Sequence, residues 1–370
     1  MTDSQKLIDA FDARVERREN RRAFFTNALG VAAVGGAFVY ATAAAAQTAA
    51  PAQIDVDVLN FALNLEYLEA NFYSYASFGT PIDPTLTTGT GTNGVAASVA
   101  TSTGARAVNF TDPVVSQYAK EIALDEIQHV KFLRTTLASL AVAQPQIDIG
   151  TSPNGAFSTA ARAAGIIGAT TTAAPTFFDP YASDENFLLG AYIFEDVGVT
   201  AYKGASPLLV NKTYLEAAAG ILAVEAYHAS IVRTVLYGKG MSVGGTAIPA
   251  AFGGGTYPAT TPNPALITNA GKISAARDSL DGTSATPAAN AVTPDPITGK
   301  DISDDQGIAP VTTGAGVRAN IAPLNQNGLA YSRTANAVLN IVYLTPNAAK
   351  SGGFFPAGMN GNIVTSTQQV

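Results

Sequence analysis

In each of four helical segments of this chain a glutamate stands where the 3.6-residue period calls for a core side chain. The first segment, roughly residues 54–78, has the stripe Leu59, Ala62, Glu66, Glu69, Tyr73. The second opens at Thr111-Asp112-Pro113, with Thr111 or Asp112 as N-cap and the proline in the first turn, and continues to about Ala141. Its stripe reads Val115, Tyr118, Ile122, Glu126, His129, Leu133, Leu137. The third starts near Ser183, stops before Pro207 and places Leu188, Ala191, Glu195, Val199 and Tyr202 on one face. The fourth spans about Lys212–Tyr237, with Gly238 as the expected stop. It aligns Ala218, Ile221, Leu222, Glu225, His228, Val232 and Leu236. Four bare carboxylates in one core cost several kcal/mol apiece, so the fold must supply compensating charge.

Two divalent cations supply it: four glutamates carry −4, two metal ions carry +4, and two neutral imidazoles complete the shells. Only two histidines occur, and each has a glutamate three residues before it. A single Glu-x-x-His on an amphipathic helix is usually an accident of a polar face. With ten glutamates in 370 residues, finding both histidines so placed has a chance of (10/370)², on the order of one in a thousand. One Glu from each of two helices and one Glu-x-x-His from each of the others is the ligand set of di-iron and di-manganese carboxylate bundles. The chain has no cysteine, which removes thiolate sites and disulfides and leaves oxygen and imidazole, donors that suit iron or manganese. Glu69, at the edge of its stripe, reads as a ligand, a base behind the ligands or a surface partner. Tyr73 and Tyr202, two turns beyond Glu66 and Glu195, read either as hydrogen-bond donors to ligands or as core aromatics.

The four helices are two copies of one unit. Aligning Glu66 with Glu195 superposes Tyr73 on Tyr202. Aligning His129 with His228 matches Glu126 with Glu225, Arg134 with Arg233, Thr135 with Thr234 and Leu137 with Leu236. A duplicated helix pair makes a four-helix bundle with an approximate two-fold axis. Arg134 and Arg233 read as structural ion-pair residues. Asp125 and Asp196 neighbour ligands in sequence but point off the stripe, outside the expected site. The Gly/Thr/Ser-rich connection after residue 78 and the segment 145–180 read as loop. So does most of the chain from 239 onward, apart from a short helix within Tyr331–Leu344 and two phenylalanines in Gly352–Gly361 that anchor the tail to the body.

Residues 1–46 read as an export signal. Arg21-Arg22 precedes two phenylalanines, an Ala/Gly-rich apolar run and a small-residue site at Ala44–Ala46. The run is short and weakly apolar for a stable membrane span. Its removal takes six Lys/Arg and five Asp/Glu, so the net charge moves from −7 to −7 − 1 = −8. An acidic protein of this kind lacks the basic face that nucleic acid requires. The expected organisation is a signal over 1–46, a bundle over 54–240 and a Gly/Pro/Thr-rich extension over 241–370, with the protein periplasmic or extracellular.

The segments LNFALNLEYLEANFYSYA, EIALDEIQHVKFLR, GAYIFEDVGVTAYKGA and AAAGILAVEAYHASIVRTVL resemble the ferritin-like domain family, in its Tat-exported bacterial and desiccation-related branch. RDSLDG and GGFFPAGMNG in the tail extend the likeness. The resemblance implies an all-α, antiparallel ferritin-like four-helix bundle with long loops and an irregular C-terminal extension. It implies ligation by Glu66, Glu126, His129, Glu195, Glu225 and His228, and its Glu-to-Tyr spacing selects Glu66 over Glu69. Two iron ions are the implied cofactor, with two manganese ions the alternative, and dioxygen or peroxide the partner. The long loops and tail argue against a 24-subunit cage, though not against a smaller homo-oligomer. Ferroxidase, peroxide consumption, manganese catalase-type disproportionation and a purely structural metal all remain open, because a fold of this kind hosts several activities.

Overall fold

A computed structural model describes residues 51–94, 104–241, 262–281, 305–313, 316–325 and 327–368. The proposed export signal over 1–46 and Gly282 lie outside these residues. The bundle is made of α1 (Gln53–Phe78), α2 (Pro113–Leu137), α4 (Asp184–Ala205) and α5 (Lys212–Met241). α1 packs chiefly on α2 and α4 on α5, so each copy of the duplicated unit is a helix pair. The N-termini follow from capping chemistry. Asp112 accepts from the amides of Val114 and Val115 ahead of α2, with Pro113 in the first turn. Ser183 accepts from the Asn186 amide ahead of α4. α5 is long and apolar enough to cross a membrane by length and composition. Here it is a bundle helix, whose Glu225, His228, Arg233 and Lys239 are buried against protein.

α5 does not stop at Gly238. That glycine keeps helical backbone angles, and the helix runs on to Met241. Lys239 holds the last turn down, with Nζ 3.2 Å from Asp112 Oδ2 and 3.1 Å from Glu185 Oε1, while its carbonyl accepts from the Asn263 amide. Two further helices lie in stretches whose composition reads as loop: α3 (Ala156–Ala163) and α6 (Pro264–Asp281). A short antiparallel hairpin pairs β1 (Val311–Thr313) with β2 (Gly316–Arg318), and α7 (Ala335–Tyr343) is the short helix expected near residue 335.

α1 is buried without a break from Val58 to Ser74, and α4 from Phe187 to Gly198, whereas α2 and α5 keep one solvent face. Loops and the extension cover the outer sides of α1 and α4. Three helical asparagines on α1 serve this cover, which explains residues that a helix interior otherwise disfavours. Asn60 accepts from the Val142 amide and donates to Leu140 O. Asn64 donates to Asn360 O and accepts from the Asn360 amide, and Asn71 donates to Gln144 Oε1. Phe354 of the extension packs edge-on to Phe157 and Phe194, with ring centroids 5.3 and 4.9 Å away.

A buried ionic chain ties the extension to α4 and α5. Asp196 Oδ2 accepts from Arg233 (2.7 Å) and Arg277 (2.9 Å). Asp305 accepts from Arg277 and Arg333, and Arg333 reaches Asp281 at 2.6 Å. Three arginines thus face three aspartates. Arg233 is a structural ion-pair residue, as its place in the repeat suggests. Arg134 instead donates to the Tyr67 hydroxyl and the Thr88 carbonyl.

Candidate metal centre

The six residues singled out by spacing converge at mid-height in the bundle. Glu66 comes from α1, Glu195 from α4, Glu126 and His129 from α2, and Glu225 and His228 from α5. Mid-helix placement fixes them on rigid backbone, and all four carboxylates are at most 1% exposed. They form two overlapping groups with the spacing a metal ion accepts: Glu66, Glu126, His129 and Glu225 in one, and Glu126, Glu195 and His228 in the other. In the first, His129 Nδ1 lies 3.2 Å from Glu66 Oε2, 3.3 Å from Glu126 Oε2 and 3.8 Å from Glu225 Oε1. In the second, His228 Nδ1 lies 2.9 Å from Glu126 Oε1 and 3.7 Å from Glu195 Oε2. Glu126 belongs to both groups, as a bridging carboxylate must.

Buried polar atoms ordinarily find a partner. Here both oxygens of Glu225, Glu126 Oε1, Glu195 Oε2 and His228 Nδ1 have no hydrogen-bond partner, and all four residues belong to the two ligand groups. Glu126 Oε1 and His228 Nδ1 are close but misaligned for a hydrogen bond. Among the described residues no lysine or arginine forms an ion pair with any of these four carboxylates. The donor set therefore fits a pair of cations, and the same crowding shifts the titration of its members. Burial, moderated by His129 and reinforced by Glu126, pushes Glu66 up to about 7. Burial, against the pull of His228, pushes Glu195 up to about 8. Glu225 is raised well above the carboxylate range by burial and then by the charges of Glu126, Glu69 and Glu66. Burial would raise Glu126 too, but the two facing imidazoles, His129 and His228, outweigh it and hold that carboxyl well below its usual range. Burial opposes charge on both imidazoles. The facing carboxylates win, lifting His129 to about 11 and His228 to about 10.

The tyrosines cross the two-fold axis. The Tyr73 hydroxyl of α1 donates to Glu195 on α4, and the Tyr202 hydroxyl of α4 donates to Glu66 on α1. Each orients a carboxylate of the other copy. Glu69 joins neither ligand group. It is buried, which removes the surface-partner reading, and its carboxyl is pushed well up by burial and by Glu126, Glu195 and Glu66. One residue that the stripe leaves outside the site belongs beside it: Asp125 Oδ2 lies 3.2 Å from His228 Nε2, so a carboxylate backs the imidazole whose other nitrogen faces the cluster. Asp125 reaches across from α2 to α5, a relation that periodicity along one helix does not register. Asp196 turns away, into the arginine chain.

Residues 54–238 match the family model described as the ferritin-like domain. The desiccation-related protein PCC13-62 of Craterostigma plantagineum is 34% identical over 186 residues, covering 50% of this chain and 53% of that protein. The ferritin-like catalase Nec2 of Nesocodon mauritianus is 25% identical over 316 residues, 84% of this chain and 85% of that protein. The chain thus spans about half the length of the first relative and most of the second. No solved structure matches it.

Proposed function

The chain belongs to the ferritin-like domain family, and from that premise we propose that it holds two redox-active divalent ions, iron or manganese, and consumes hydrogen peroxide outside the cytoplasm. The observation that carries this reading is the pair of ligand groups sharing Glu126, with five donor atoms left without partners. Glu66 and His129 would serve one ion, Glu195 and His228 the other, with Glu126 and Glu225 between them. Iron and manganese both accept oxygen and imidazole donors. A bound redox pair supplies two-electron exchange: one peroxide is reduced to water as another is oxidised, 2 H₂O₂ → 2 H₂O + O₂, with no outside reductant.

The protein's own groups have separate tasks. Tyr73 and Tyr202 fix the orientation of Glu195 and Glu66. Asp125 holds the His228 ring with Nδ1 towards the cluster. Glu69, a carboxyl outside both ligand groups, would relay the proton that peroxide gives up. The relative named a ferritin-like catalase supports the peroxide reading, since the likeness runs over the extension as well as the bundle. Export through the twin-arginine route, with the centre loaded before crossing, completes the proposal.

Protein purified from its own host should contain about two metal ions per chain and release dioxygen from hydrogen peroxide. A Glu126→Ala, Glu225→Ala double variant that retained full metal occupancy would overturn the site. Should the loaded protein neither consume peroxide nor oxidise Fe²⁺ above buffer, the metal is a structural staple of the bundle.

A further inference from the structure

A cavity of about 20 Å³ lies between α1 and α4. Its walls include Leu68 and Glu69 of α1, Val197 and Gly198 of α4, and Ile341 and Phe354 of the extension. In the repeat alignment, three residues past Glu66 is Glu69 and three past Glu195 is Gly198, while Leu68 matches Val197. Equivalent positions of the two copies therefore both line the cavity. The copies differ at the decisive place, with a carboxyl on one side and no side chain on the other.

The glycine has a structural reason. A Cβ on Gly198 would sit 2.3 Å from Glu225 Oε2. Its absence brings the cavity wall directly against a buried carboxylate that has no hydrogen-bond partner on either oxygen. A space of this size exceeds what a single water needs. Apart from Glu69 its side-chain walls are apolar, so a hydrated ion would lose its water without replacement there. A small neutral molecule loses little, and Glu69 offers it one polar contact. A further side is lined by Ile341 and Val342 of α7 and by Phe354, which have no counterpart in the duplicated bundle.

We propose that this cavity seats hydrogen peroxide beside the metal pair, and that the extension, through Ile341, Val342 and Phe354, sets the upper size of the molecule admitted. This rests on the peroxide reading above and adds to it a place and a size limit. The product dioxygen has the same number of heavy atoms and fits the same space.

The test uses the metal-loaded full-length protein with ethyl hydroperoxide as a competitor of hydrogen peroxide. In the wild type the competitor should need a concentration roughly 100-fold above the hydrogen peroxide KM to inhibit. Ile341→Ala, which widens the cavity, should lower that inhibition constant about tenfold or more with metal content unchanged. Val342→Leu, which fills it, should lower kcat/KM for hydrogen peroxide by about tenfold. Crystals of the same protein under xenon pressure should show one xenon in the cavity, lost in Val342→Leu. Unchanged competition and unchanged kcat/KM in folded, metal-replete variants would overturn the assignment. So would an empty cavity under xenon in a protein that turns over peroxide. A wild-type protein that consumes no peroxide overturns the catalytic reading itself, whatever xenon shows.

Discussion

Glu225 keeps two unpartnered oxygens in the centre of the protein, and burial together with the neighbouring carboxylates favours its protonated form. The titration of the cluster has a sign. Glu66 and Glu195 have folded-state values near 7 and 8, above the ordinary carboxyl value of 4.5. Their contribution to stability is fully present below about pH 4.5 and lost as pH rises through 7 to 8. The raised histidines add a loss that begins above pH 6.5 and extends past pH 8, while Glu126, held low, acts in the opposite sense only at acid pH. The metal-free protein should therefore melt at progressively lower temperature from pH 5 to pH 8, and the metal-loaded protein should lack this slope. Scanning calorimetry of both forms reads it directly. Metal binding must also release protons, so affinity climbs over the same window. Tyr202→Phe removes the donor that fixes Glu66 and should weaken metal binding about 10–100-fold without unfolding the bundle, as measured by competition with a chelator. The convergence of Glu126, His129, Glu195, Glu225 and His228 is legible in the sequence because each points inward from a helix and the period exposes a polar residue there, whereas Glu66 shares its stripe with Glu69 and is singled out by the family's spacing. Asp125 and Gly198 are not legible in this way. Their roles depend on contact between helices, and no pattern along one helix records it.

At the level of elements, two matched arginines show how far the copies have separated. Arg134 lies near the surface, on Tyr67 and Thr88, while Arg233 is buried under the extension and joins Asp196. The difference comes from what covers each helix. α6 is not legible in the sequence for a related reason. Its buried residues are Leu266, Ala270, Ile273, Ser274, Arg277 and Asp281, a regular helical stripe whose later half is polar. Hydrophobic periodicity detects only the first half, because the rest is buried through ion pairs. Arg277 is the hub: it contacts Asp196, Asp305 and the carbonyls of Tyr192 and Ile193. Removing one partner from a buried pair leaves uncompensated charge, so Arg277→Met should cost about 3–5 kcal/mol in denaturant unfolding. Tyr202→Phe should cost far less, since it leaves no buried charge unpaired.

For the whole molecule, the extension is part of the core. α1 and α4 are buried on all sides only because loops and tail lie over them, so neither could face water as a surface helix does. A chain ending at Met241 would expose the outer faces of α1 and α4, including Phe194, and leave Arg233 and Asp196 without Arg277. It should aggregate or fail to fold, by size-exclusion chromatography and circular dichroism. A truncated chain that stayed monomeric with an unchanged melting temperature would contradict this. The tail's anchoring phenylalanines could be read from the sequence, but its cover of α1 through Asn360 could not, because that contact spans 296 residues.

The carboxylate behind His228 has one more consequence. In the repeat, Asp125 corresponds to Val224, so the same contact cannot exist for His129. A carboxylate-backed imidazole is the stronger donor, and the two halves of the centre are therefore unequal in ligand strength. Added iron should populate the Glu195–His228 half first, giving a Mössbauer spectrum with one quadrupole doublet at one equivalent and two distinct doublets at two. Symmetry inherited by duplication is broken at this one carboxylate.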